Sequence, residues 1–208
     1  MVNRQSDGRI VPVKMRNPRG ISIGGKSRTW GYLSSQPYGT NLKKAGFISV
    51  EWLPSFVNSR RSGYDFDARW EDGKVGRREK KIMDFFLSDD EDEPFKDIYI
   101  LSTDLKKQAG FGKGGEKNYQ GIITQLQMET YLVISDFKRR ENKKGEEYGM
   151  AVSVMLPPEK LWGYDRVTSA YSEKPSVSWE RLVNHVKEMY PGADEKDIVR
   201  LIGKRPED

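Results

Sequence analysis

Cysteine is absent from the 208 residues, and histidine occurs once, at His185. The first absence removes disulfides, thiolate nucleophiles and cysteine-ligated zinc. A single histidine argues against a His-pair metal centre and against Ser-His-Asp hydrolysis. No run of 18 apolar residues occurs, so no membrane-spanning helix is expected. The basic N-terminus lacks the apolar segment of a secretory signal. These absences point to a chain of the cytoplasm with no metal, no small-molecule cofactor and no membrane partner.

Apolar residues are sparse as well, at 36% against 32% charged, while eight Phe, ten Tyr and five Trp supply large buried area from few positions. The net charge is +5, unevenly spread. Residues 1–60 hold ten Lys or Arg (Arg4, Arg9, Lys14, Arg16, Arg19, Lys26, Arg28, Lys43, Lys44, Arg60) against only Asp7 and Glu51. Such an arm suits a polyanion, because each cation near a phosphate releases condensed counterions. A solvated tail kept soluble by charge is the plainer reading.

Composition and periodicity divide the chain into four parts. Residues 1–28 mix Gly, Pro, Ser and Asn with basic residues and carry no sustained period, so they are expected to lack packed structure. Val11, Val13 and Met15 alternate as a short strand would. Residues 29–74 are aromatic-rich, with Phe47 to Trp52 extended, Pro54 suited to open a helix, and 58–73 a loop with a helical turn. Residues 157–208 are expected to hold two helices, at 177–190 and 194–202.

Residues 75–156 carry the most specific pattern. A helix is expected over 77–88, with Ile82, Phe85 and Phe86 on one face. An acidic loop over 89–93 leads to a short strand over 98–101. Ser102 suits the N-cap of a helix over 103–109. The glycine-rich stretch 110–115 is a turn, without the spacing of a phosphate-binding loop. A third helix is expected over 116–128, with Tyr119, Ile122, Ile123 and Leu126 as its apolar stripe. Strands are then expected over 130–137 and 148–156, joined by a basic loop whose residues 142–145 have turn chemistry. Helix, strand, helix, turn, helix, strand, loop, strand is the order of a winged helix. The expected class is α+β: a winged helix-turn-helix domain, an aromatic-rich N-terminal extension and C-terminal helices.

In that reading the third helix enters a groove. Its non-apolar face would present Lys117, Gln120, Thr124 and Gln125, residue types that bond base edges or phosphates, with Lys113 just upstream. Lys138, Arg139, Arg140, Lys143 and Lys144 cluster in the wing, where they suit phosphate contact. Glu141, Glu146 and Glu147 offset them, and lysine on an edge strand also guards against aggregation. Gln125-Leu126-Gln127 could orient a catalytic water, but Leu126 belongs to the buried stripe and the spacing alone is weak. His185, among apolar positions of a helix, suits packing more than catalysis.

Trp30-Gly31-Tyr32-Leu33, the run Phe47-Ile48-Ser49-Val50-Glu51-Trp52-Leu53-Pro54-Ser55-Phe56, Trp70-Glu71-Asp72-Gly73-Lys74-Val75, and Ile123-Thr124-Gln125-Leu126-Gln127 followed by Leu132-Val133-Ile134 together resemble an AlkZ-related bacterial group, akin to the winged-helix DNA glycosylases AlkZ and YcaQ. The resemblance implies tandem winged-helix ancestry and DNA as partner. It carries over no catalytic role: the glycosylases' glutamine pair lies near the start of the chain, and nothing in residues 1–45 matches it. The first expectation is therefore a DNA-binding protein without its own catalytic centre. The second is a glycosylase-type repair enzyme with Asp65, Asp67 or Glu71 in a cleft beside the wing. The third is a protein-interaction module using residues 89–93 or the aromatic region 30–70.

Overall fold

In a computed structural model, residues 48–90 and 93–208 are described with their side chains, and within residues 1–47 only the backbone of short strands. The N-terminal strands are β1 (Val2–Arg4), β2 (Ile10–Pro12), β3 (Ile21–Ile23), β4 (Lys26–Tyr32) and β5 (Ala45–Ser49). β1 and β2 pair with each other, and β4 pairs antiparallel with both β3 and β5. The basic side chains of residues 1–44, Trp30 to Leu33, and residues 91–92 of the acidic loop lie outside the described side chains, whereas Arg60 is described and half-buried.

α1 (Leu53–Arg61) starts with Pro54 in its first turn, where the missing N–H has no intrahelical partner to lose. α2 (Phe66–Glu71) is the helical turn expected within 58–73. α3 (Arg77–Met83) ends five residues before the expected Ser88, because Phe85 and Phe86 tighten to i→i−3 bonds on Ile82 and Met83. That tightening lets Phe86 enter the core. β6 (Ile100–Leu101) is the short strand, and α4 (Ser102–Gln108) follows it directly. Ser102 is the first helical residue rather than the N-cap, which is Leu101. Its hydroxyl is engaged by the Ser153 hydroxyl at 3.0 Å instead.

α5 (Tyr119–Met128) begins three residues later than the periodicity implied. Asn118 sits left-handed at φ 66°, which a helix interior cannot accept. β7 (Val133–Glu141) likewise begins late, because Thr130 at φ 65° terminates α5 and the Tyr131 and Leu132 amides still bond Leu126 O. β8 (Glu147–Leu156) returns antiparallel. At the tip Asn142 Oδ1 accepts from the Lys144 and Glu146 amides, and Gly145 takes φ 79°. α6 (Pro158–Trp162) and α7 (Tyr164–Val167) form a connection that the periodicity did not reveal, before α8 (Pro175–Met189) and α9 (Glu195–Ile202). Asp194 caps α9 by accepting from the Asp197 amide at 2.7 Å.

The chain is α+β. Its larger sheet runs β3-β4-β7-β8-β6, with β5 on the free side of β4, and all pairings are antiparallel. The Trp30–Ile134 pair joins the N-terminal strands to the β7–β8 hairpin. Two apolar cores stand on either side of the α5–β7 turn. The first packs α3, α4 and α5 on β8 through Ile82, Phe86, Leu105, Ile123, Leu126 and Leu156. Burying each such side chain contributes about 1.5–3 kcal/mol. The second joins α1 to the C-terminal helices through Leu53, Val57, Leu182, Val186, Ile198 and Ile202. Arg61, at the end of α1, links the two: it donates to Thr130 O at 2.7 Å and to Glu159 Oε1 at 2.5 Å, with both partners buried. Among the described residues no helix is long and apolar enough to cross a membrane.

Candidate nucleic-acid interface

α4 is the element around which the candidate residues gather. Its first turn and the β7–β8 hairpin enclose a groove of about 370 Å³, lined by Tyr99, Asp104, Lys138, Arg139, Arg140 and Tyr148 among others. On its other side α4 and the stretch leading into α5 enclose a second groove of about 560 Å³. Thr103, Lys106, Lys117, Asn118 and Gln120 contribute to that one. Both grooves are lined in part by α4, which stands between the hairpin and the start of α5.

The stretch before α5 is held from three sides. Phe111 is buried and stacks edge-on against Tyr119, with ring centroids 5.3 Å apart. The Tyr119 hydroxyl donates to Ser102 O at 2.6 Å, fixing the start of α5 to the start of α4. Glu116 accepts from Arg78 at 2.9 Å and from Lys81 at 3.0 Å. Hydrogen bonds from Lys81 and Arg78 hold its carboxyl below the ordinary range. Gly115 is required by space: a Cβ there would lie 2.2 Å from Gly110 O. Lys113, Lys117 and Gln120 stay exposed at the edge of this tightened loop.

Thr124 does not. It is buried at 5% exposure, and its hydroxyl donates back to Gln120 O at 2.7 Å. Its expected place on a solvent face fails because α5 is covered on both sides beyond its first turn. One side faces the first core, and near the other end Arg60 Nη1 donates to Met128 O at 2.9 Å. Gln125 is half-buried and donates to Glu129 at 2.6 Å, while Glu129 also takes Arg69 at 3.1 Å. Gln127 is buried, its side-chain nitrogen without a hydrogen-bond partner among the described residues. The two glutamines thus face different surroundings, and Leu126 between them is fully buried.

The basic residues of the hairpin divide into two kinds. Arg140 donates to Thr103 at 2.7 Å and Asp104 at 3.1 Å, so it ties the hairpin to α4. Lys138 Nζ lies 4.3 Å from the centroid of the Tyr99 ring, and the Tyr99 hydroxyl donates to Asp136 at 2.8 Å. Desolvation, with Asp136 adding to it, raises the Tyr99 phenol, so it stays a neutral donor. Arg139, Lys143 and Lys144 are exposed, and none of them pairs with a carboxylate among the described residues. Asp65, Asp67 and Glu71 line neither groove. Asp65 accepts from Tyr164 at 2.6 Å, and the Asp67 carboxyl is raised by desolvation, opposed by Lys80 and reinforced by Asp84. Residue periodicity missed Tyr99, Lys106 and Tyr148, whose roles depend on which elements meet at α4. His185 stacks on Trp52 with ring centroids 3.9 Å apart, a packing contact in the second core region.

A model of the AlkZ-related family matches residues 38–203, a span containing both cores and both grooves. The chain belongs to the AlkZ-related family. No curated protein and no solved structure matches it. Within this AlkZ-related chain, the matched span includes the hairpin, α4 and α5 but excludes most of the basic N-terminal arm.

Proposed function

We propose that residues 75–156 of this AlkZ-related chain form a winged helix that binds DNA, and that binding rather than bond cleavage is its task. α4 and α5 act as the helix pair, and β7–β8 is the wing. The reading rests chiefly on one observation: Arg140 ties the wing to the same helix that places Lys106 beside Lys117 and Gln120. Exposed cations from the wing and from the start of α5 are thereby held on one frame. α5 is buried along most of its length, so it meets the groove by its first turn and the loop before it, as recognition helices commonly do. Lys113, Lys117 and Gln120 face the duplex there. Gln125, half-buried and bonded to Glu129, adds only at the margin. Lys138, Arg139, Lys143 and Lys144 lie along phosphates, with the basic arm as a further polyanion contact. The cytoplasm fits this role.

Fluorescence anisotropy of a labelled duplex, titrated at several salt concentrations, tests the reading. Binding should weaken steeply with salt, and the Lys143→Ala/Lys144→Ala double variant should lower the log–log salt slope by about 1–2. Absence of binding at low salt would remove DNA as partner and leave a protein-interaction module.

A further inference from the structure

The wing carries a bulge that a plain phosphate clamp does not need. Lys138 pairs with Val152 and Arg140 with Tyr148. Between those pairs β7 has one residue, Arg139, whereas β8 has three: Gly149, Met150 and Ala151. Gly149 makes the excursion possible by adopting φ 73°, a left-handed conformation that costs other residues steric energy. At its apex Met150 is 88% exposed, the most exposed large apolar side chain among the described residues. Tyr148, two residues before it, is 51% exposed. A long, flexible, polarisable thioether is thus pushed into water from the exposed half of a strand whose other end buries Val154, Met155 and Leu156.

Its surroundings favour one kind of occupant. Arg139 lies opposite the bulge, and Lys143 and Lys144 sit at the tip of the same hairpin, all without a carboxylate partner among the described residues. An apolar prong on the same hairpin as these exposed cations suits a polyanion whose backbone is charged and whose interior is apolar and stacked. Apolar side chains of wedge-type binders enter such a stack between base steps, and the bend they cause brings phosphates onto nearby cations.

Building on the DNA-binding reading above, we propose that Met150 is a wedge that inserts between adjacent base pairs, so that this chain selects duplex with an already weakened step. Unstacking is cheapest at a mismatched or damaged pair, and that difference becomes the preference. The cations supply affinity common to all duplexes, and Met150 supplies discrimination.

The test uses the full chain and a dye-labelled duplex carrying 2-aminopurine beside a single mismatch, with a fully paired duplex as the reference. Wild type should raise 2-aminopurine emission on binding and prefer the mismatched duplex by roughly tenfold. Met150→Ala should abolish the emission rise and most of the preference, with affinity for the paired duplex changed less than about threefold. Met150→Leu should restore both, since shape and apolarity are what insert. Because Met150 is solvent-exposed, unchanged far-UV circular dichroism of the variants would exclude misfolding. Retention of the emission rise and the preference in Met150→Ala overturns the wedge. Salt-sensitive binding by wild type with no emission change also overturns it, while leaving DNA binding intact. No binding of any duplex at low salt overturns both readings together.

Discussion

Arg61 shows how much can depend on one side chain. Its guanidinium is buried at the end of α1, donates from Nε to the Thr130 hydroxyl at 3.2 Å, and lies 4.4 Å from the centroid of the Tyr131 ring. Burial alone would lower its pKa, but Glu159, with Tyr171 and Tyr131, holds it above the ordinary value, so it stays charged. The contact also fixes Thr130 at φ 65°, where a β-branched residue is strained and persists only if its surroundings hold it. Replacing Arg61 by Met leaves Glu159 buried without its cation and releases Thr130. Breaking a buried pair from one side costs about 3–5 kcal/mol. The Arg61→Met variant should therefore lose that much stability in urea unfolding, and a loss below about 1 kcal/mol would show that Glu159 finds another partner or water. None of this was legible in the sequence, where Arg61 stood in a polar run read as loop. Thr124 failed for a related reason: the helical period placed it off the main apolar stripe, but only the tertiary packing revealed a second covered side.

At the scale of elements, types were more legible than limits. The apolar stripe of α5 and the two hairpin strands follow from residue periodicity, because Ile123 and Leu126, and then Ile134 and Met155, must face one core. The starts of α5 and β7 were displaced by Asn118 and Thr130, both left-handed, and Thr130 is held by Arg61 from 69 residues away. The loop before α5 is another such case. Glu116 reaches α3 through Arg78 and Lys81, pairs 38 and 35 residues apart. Since its carboxyl is held below the ordinary 4.5, its contribution is complete above that value and is lost as pH falls through the lower folded value. Glu116→Gln should melt about 1–3 °C below wild type near neutral pH, an exposed pair being weak. The gap should close as pH is taken below 4.5, and a gap that persists in acid would assign the loss to packing rather than charge.

At the scale of the whole molecule, the question is whether the two cores behave as one. Periodicity identified the C-terminal helices but gave no sign that they pack on α1, more than 100 residues away, with Asn58 donating to Ser178 at 3.0 Å inside the contact. That arrangement makes α1 the shared wall. Its Arg61 grips Thr130 and Glu159, while Arg60 donates to Met128 O at 2.9 Å and to Ile202 O at 3.5 Å, touching the end of α5 and the end of α9. A guanidinium that bonds the ends of helices from both cores gives a direct route by which the loss of one core would weaken the other. Trp52, Trp162 and Trp179 pack against the second core, so tryptophan emission weights that half, while far-UV circular dichroism reports helices of both. Ile202→Ala removes a side chain 1% exposed in α9 and should cost about 2–5 kcal/mol. If α1 couples the cores, the two signals should shift to the same lower urea midpoint and remain superimposable. If instead emission shifts alone and circular dichroism splits into two steps, the half built from α3, α4, α5 and the β7–β8 hairpin folds independently. The contacts of Arg60 and Arg61 would then position α1 without joining the cores thermodynamically, and the proposed DNA binding should survive in the variant at urea concentrations that have already unfolded the C-terminal helices.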